Sequence, residues 1–131
     1  MIVVDTNVLA YLYLPGKLSG AAEALFLHDS EWAVPRLWRS EFRNVLATYM
    51  RKDLLTYDDA LSTYRKAEAL VAGAEHDVGA GDVLRLAKDS GCSAYDCEFV
   101  ALAEHLDVRL ISEDARLCKA FSNRAMPLSE A

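Results

Sequence analysis

The apolar stretches of this chain are short, and that limits the fold more than any other feature. Residues 2–4 (IVV), 32–35 (WAVP) and 108–112 (VRLIS) are brief runs rich in β-branched and bulky side chains. None is long enough to cross a membrane or to form a buried helix, but each suits a strand covered on both faces. Between them lie longer segments whose apolar residues recur at helical spacing. The segment 37–52 is the clearest, with apolar residues at 37, 38, 42, 45, 46, 49 and 50. Further helices are expected from Thr6 to Leu14, stopped by Pro15-Gly16, and after Ser19 as N-cap. Others are expected over 56–71 with Thr56 as cap, near 80–90, over 94–106, and from 114 to 121. Weaker strands are expected at 74–78 and 125–128.

Short strands alternating with helices specify a parallel sheet with helices on both faces. The expected fold is therefore α/β, a three-layer α/β/α sandwich around a mainly parallel sheet of 4–5 short strands. Residues 1–131 carry no repeat, linker or low-complexity tract, so a single domain is expected. Hydrophobic residues make up 53% and charged residues 26%, which excludes a disordered chain. No basic region precedes the first apolar run, and Asp5 breaks it, so the start does not read as a secretory signal. Three cysteines, Cys92, Cys97 and Cys118, form no C-x-x-C pair and suit a reducing cytoplasm.

The carboxylates carry the chemistry. In sheets of this kind ligands bind beyond the carboxyl ends of the strands. Asp5 stands at such an end, and Asp114 follows the strand 108–112. Each has a local alternative: Asp5 as an N-cap, and Asp114 in the first turn of a helix capped by Ser112. Glu41 lies at the flank of the apolar stripe of its helix, where an unpaired charge costs several kcal/mol. Its alternative is a salt bridge to Arg39, Arg43 or a distant cation. Asp96 lines up with Phe99, Val100 and Ala103, and its alternative is a capping box with Ser93. Four such acids at one sheet edge would repel one another strongly unless cations were present. Carboxylate oxygens are the ligands that Mg²⁺ and Mn²⁺ prefer. A site holding two such ions about 4 Å apart suits an in-line phosphodiester displacement by water. The net charge of −6, from 20 acidic and 14 basic residues, fits cation binding and leaves no basic nucleic-acid footprint.

Three blocks, "IVVDTNVL", "VPRLWRSEFRNVL" and "SAYDCEFVALAEHLDVRLISEDARL", together resemble the PIN-domain ribonucleases, specifically the VapC-type toxins of VapBC toxin–antitoxin modules. The likeness spans essentially the whole chain. It implies that Asp5, Glu41, Asp96 and Asp114 are the catalytic and metal-binding acids. Thr6, Asn7 and Ser112 would support them, and the cofactor would be Mg²⁺ or Mn²⁺. Members often carry a further acid soon after the third; here position 99 is Phe and Glu98 is the nearest substitute, which leaves one or two ions open. The resemblance further implies endonucleolytic cleavage of tRNA, rRNA or mRNA, a homodimer, and inhibition by a VapB-like antitoxin. Arg36, Arg39 and Arg43 are candidate contacts for RNA or antitoxin, with Lys52, Arg65 and Lys66 on nearby surface. Trp38, Tyr49, Tyr57 and Tyr64 are candidate base-stacking or dimer residues. Alternatives are a PIN nuclease of RNA processing and a silent PIN-like binding module. A receiver domain or haloacid-dehalogenase-type phosphatase fits poorly, because Asn7 stands where D-x-D would need an acid.

Overall fold

Alternation along the strands divides the interior in two. In the computed structural model, which describes residues 1–131, Ile2 and Val4 of β1 (Ile2–Val4) point to one face and Val3 to the other. β2 (Trp32–Pro35) repeats this with Trp32 and Val34 against Ala33. Such two-fold alternation buries both faces of a strand when helices cover each side. The sheet is completed by β3 (Glu75–His76), β4 (Leu110–Ile111) and β5 (Ala125–Met126). All pairings are parallel and the order is β3-β2-β1-β4-β5, which places β1 at the centre.

The first face is covered by α1 (Thr6–Tyr13), α2 (Ser19–His28), α3 (Trp38–Arg51) and α4 (Tyr57–Val71), whose Val8, Leu9, Leu25, Phe42, Leu46 and Ala67 join its core. The second is covered by α5 (Ala80–Ser90), α6 (Ala94–Leu106) and α7 (Ala115–Ala120), with Leu86, Val100, Leu102 and Leu117 packed on Val3 and Leu110. The expected sandwich with a parallel five-stranded sheet is the fold observed. No helix is long and apolar enough to cross a membrane. The three cysteines are free thiols.

Several element ends differ from expectation for identifiable reasons. Ser19 does not cap α2. It is the first helical residue, and its hydroxyl donates to the Leu14 carbonyl at 2.8 Å, tying α2 back to the end of α1. Asp114, not Ser112, is the N-cap of α7, accepting from the Leu117 N–H at 3.1 Å. Strands β3, β4 and β5 shrink to two residues each, because pairing in register lasts only that far. Beyond β5 the chain turns into a 3₁₀ turn, Leu128–Glu130.

Helix α3 is anchored to β3 by charge as well as packing. The Arg39 guanidinium donates twice to Glu75, both at 2.7 Å, and the buried Trp38 indole donates to the same carboxylate at 2.8 Å. These donors hold the Glu75 carboxyl down at about 2. A bidentate pair of this kind fixes direction as well as distance, so the helix that carries Glu41 is held in place where it leaves β2.

Candidate active site

Asp5 is placed by backbone bonds before its side chain does anything. Its N–H donates to the Ile111 carbonyl at 3.0 Å, which extends the β1–β4 pairing one residue past the strand. The carboxylate then divides its work. One oxygen caps α1, accepting from the Val8 N–H at 2.9 Å, and the other accepts from the Ser112 hydroxyl at 2.6 Å. Capping and exposure to a cleft thus coexist in one residue. Ser112, fully buried, also accepts from the Asp114 N–H at 3.1 Å, so a single hydroxyl links two of the acids.

The next residue does the same for the neighbouring helix. The buried Thr6 donates its hydroxyl to Glu41 at 2.8 Å. Glu41 therefore takes a hydroxyl partner, and none of the arginines considered as alternatives bonds to it. Asp96, in the first turn of α6, has its N–H donating to the Ser93 hydroxyl at 3.0 Å, the forward half of a capping box.

These elements enclose one open cleft of about 450 Å³ at the carboxyl edge of the sheet. Asp5, Glu41, Asp96 and Asp114 all line it, with Thr6 and Asn7. Its walls are α3, through Leu37, Ser40, Asn44 and Val45, and α6, through Tyr95 and Phe99. Sequence reading missed Asn44 and Tyr95. Asn44 was accessible to it, being three residues after Glu41 and so on the same helix face. Tyr95 had no such signal beyond standing next to Asp96.

The arginines lie elsewhere. Arg36 pairs with Asp77 at 3.2 Å, Arg39 is held by Glu75, and Arg43 donates to the Arg39 carbonyl and the Ser40 hydroxyl beside the Tyr64 ring. None of the three lines the cleft, and no lysine, arginine or histidine does. Trp38 is buried and stacked on Tyr64, while Tyr57 borders a separate apolar groove between α3 and α4. Glu98 faces away from the cleft, beside Val83 and Leu84 of α5.

The electrostatics follow from this arrangement. Burial pushes the Asp5 carboxyl upward, only partly offset by Ser112 and the Val8 N–H, and Asp96 and Glu113 push it further. Burial likewise raises Glu41, opposed by Thr6 and reinforced by Asp96, Asp5 and Glu98. Asp96 is raised by burial and by Asp114, with Ser93 and Arg116 pulling it back. Each of these groups is destabilised by the charge of another, with no salt bridge to relieve it.

An oxygen-only donor set in this state fits Mg²⁺ or Mn²⁺ by type and by charge. No three of the carboxylates close on a common point as a finished cage. That suits an ion which keeps several of its waters and takes only one or two carboxylates directly, and the open cleft leaves room for them. The same electrostatics give a testable result. Because the three carboxyls are raised, the folded protein binds more protons than the unfolded chain in the range just above the ordinary values of 3.8 and 4.5. Stability then falls as pH rises through that range. Metal-free protein should melt at higher temperature in mild acid than at neutral pH, and Mg²⁺ should raise the midpoint at neutral pH more than in acid. A melting temperature indifferent to Mg²⁺ at neutral pH would contradict cation binding by these acids.

Comparison with known proteins bears on the same residues. Residues 2–121 match the PIN domain family. The chain belongs to the PIN-domain family. It is 30% identical over 139 aligned residues to Ribonuclease VapC3 of Pyrobaculum aerophilum, covering 96% of this chain and 98% of that protein. The solved structure of PAE2754 from Pyrobaculum aerophilum has the same fold, with a TM-score of 0.77 at 19% identity, covering 98% of this chain and 84% of the other. FitAcB from Neisseria gonorrhoeae superposes over 100% of both chains with a TM-score of 0.77 at 18% identity. FitAB bound to an IR36 DNA fragment gives 0.71 at 19% identity, over 98% and 95%. All four acids of this PIN domain fall inside the matched segment.

Proposed function

We propose that this PIN domain is a metal-dependent endoribonuclease of the VapC type, the toxin half of a toxin–antitoxin pair. One observation carries the reading. Carboxylates from four separate elements, Asp5, Glu41, Asp96 and Asp114, line a single cleft whose lining includes no cationic side chain. The relationship to Ribonuclease VapC3 supports RNA as the substrate. The proposal extends to a VapB-like antitoxin as partner, a homodimer as the working form, and action in the cytoplasm.

In this reading the four acids hold Mg²⁺ or Mn²⁺. When bound, the cation supplies a water nucleophile at neutral pH and balances charge on the scissile phosphate and leaving oxygen. The protein's own part is positioning. The Ser112 hydroxyl fixes one oxygen of Asp5 and favours its charged form. Thr6 does the same for Glu41. Such hydroxyl partners aim a ligand and tune its basicity. Phe99, Val45 and Leu117 form the apolar part of the wall around these polar groups. The acids act as ligands and water-orienting groups, and none of them is a nucleophile.

The test is cleavage of RNA by the purified chain with Mg²⁺ or Mn²⁺, with EDTA as the control. Internal cuts that stop on chelation are expected, as is arrest of growth on expression in a bacterial host without the antitoxin. Cleavage that persists at full rate in EDTA would overturn the metal assignment. Absence of any cleavage with either ion, together with no binding of Mn²⁺ by calorimetry, would leave only a protein-binding role.

A further inference from the structure

An RNA-binding cleft without a basic side chain has to gain its affinity from something other than phosphate neutralisation. Nearby arginines already have partners: Arg36 in Asp77, Arg39 in Glu75, Arg43 in Ser40 and the Arg39 carbonyl, and Arg116, the one felt by Asp96, in the Gly91 carbonyl. Two of the aromatic candidates are also spoken for, since Trp38 is fully buried and Tyr64 packs against it and Phe42. Of the two aromatic rings on the cleft, Phe99 is buried and one is exposed. Tyr95, at the start of α6, is 65% exposed, directly precedes Asp96, and lines the same cavity. Across from it α3 presents Asn44, and the first turn of α1 presents Asn7, both exposed.

On the basis of the RNA-cutting reading above, we propose that Tyr95 is the stacking platform for one unpaired base beside the scissile phosphate, with the Asn44 amide facing that base's edge. The chemistry is direct. Every base has a π-face, so a solvent-exposed phenol ring accepts any of them, whereas a base inside a duplex has no free face to offer. An amide supplies both donors and an acceptor for a base edge. Because Tyr95 and Asp96 line the same cavity, a base held on the ring keeps its own phosphate within reach of the acids. The class of substrate that follows is single-stranded or looped RNA, selected by a splayed nucleotide rather than by backbone charge.

The experiment uses the full chain and a short single-stranded RNA oligonucleotide carrying a fluorophore. Binding is followed by anisotropy in Ca²⁺, and cleavage kinetics are followed separately in Mg²⁺. Tyr95→Ala should weaken binding and raise KM about tenfold, with kcat within about twofold of wild type. Tyr95→Phe, which keeps the ring, should restore tight binding. Tyr57→Ala, in the separate α3–α4 groove, serves as a control and should bind as wild type does. A duplex of the same sequence should bind far more weakly, and the single-strand affinity should fall by less than about tenfold between roughly 50 and 200 mM salt. If Tyr95→Ala binds and cuts like wild type, or if affinity collapses steeply with salt, the stacking role is wrong while the nuclease assignment stands. If wild type neither binds nor cuts RNA, the nuclease assignment itself fails, and this inference with it.

Discussion

Asp96→Asn and Asp5→Asn should each reduce RNA cleavage by about a thousandfold or more while leaving the fold intact. The size follows from removing a charged ligand whose cation supplies several kcal/mol of transition-state stabilisation. Asn is the informative replacement because it keeps shape and local bonding. At position 5 it remains a good N-cap, so the Val8 N–H retains an acceptor. Ser112 can reverse its hydroxyl to meet the new amide. At position 96 the Ser93 bond comes from the backbone N–H and is untouched. Each change also removes one member of a mutually repelling set, so metal-free stability should hold or rise. Initial rates with Mg²⁺, thermal melts without it, and Mn²⁺ calorimetry together separate lost chemistry from lost structure. A variant that cuts at the wild-type rate would remove its residue from the catalytic set.

Trp38→Ala should cost about 4 kcal/mol of stability, close to half of what a domain of this size commonly has. The side chain is fully buried, stacks on Tyr64 at 5.5 Å, and meets Phe42 edge-on at 5.7 Å. Its removal opens a cavity between α3 and α4 and takes one donor from Glu75. Trp38→Phe should cost far less, because Arg39 still satisfies Glu75 through two bonds. Urea unfolding measures both. Since Glu41 lies one turn further along α3, the Ala variant should also lose activity out of proportion to its folded fraction. A cost below about 1 kcal/mol would mean that the stack contributes little to holding α3.

What could be read in the sequence, and what could not, divides along physical range. The strands at 2–4 and 32–35 announced themselves because burial on both faces demands unbroken apolar runs. Their helices followed from spacing. Asp5 and Asp114 stood out because they follow strands, Glu41 and Asp96 because they sit on apolar helix faces, and the structure brings all four to one cleft. Contacts between distant residues left no such trace. Nothing local to Arg39 points to Glu75, so it read as a candidate contact for RNA or antitoxin, or a partner for Glu41, when it is a structural tie. Ser112 read locally as a helix cap and by resemblance as a supporting residue, but nothing near it in the chain showed that its hydroxyl reaches back 107 residues to Asp5. Ser19 had the right residue type for a cap, but the carbonyl of Leu14 took its hydroxyl instead. Tyr95 read as nothing in particular, since only the folded cleft makes its exposure meaningful.

Val3 at the centre of the sheet is in register with Ala33 on one side and Leu110 on the other. During synthesis, therefore, the second flank of the central strand cannot be completed until nearly the whole chain has left the ribosome. Asp5 waits that long for Ser112, and Asp96 and Asp114 arrive just before and after it. A nascent or truncated chain ending short of β4 can build most of the first core, from β1 through α4, yet lacks Asp114 and the Ser112 hydroxyl that holds Asp5. Under the toxin role proposed above, this order of assembly delays the hazard to the last moments of translation. It also gives any partner that recognises the earlier helices time to engage before the cleft exists.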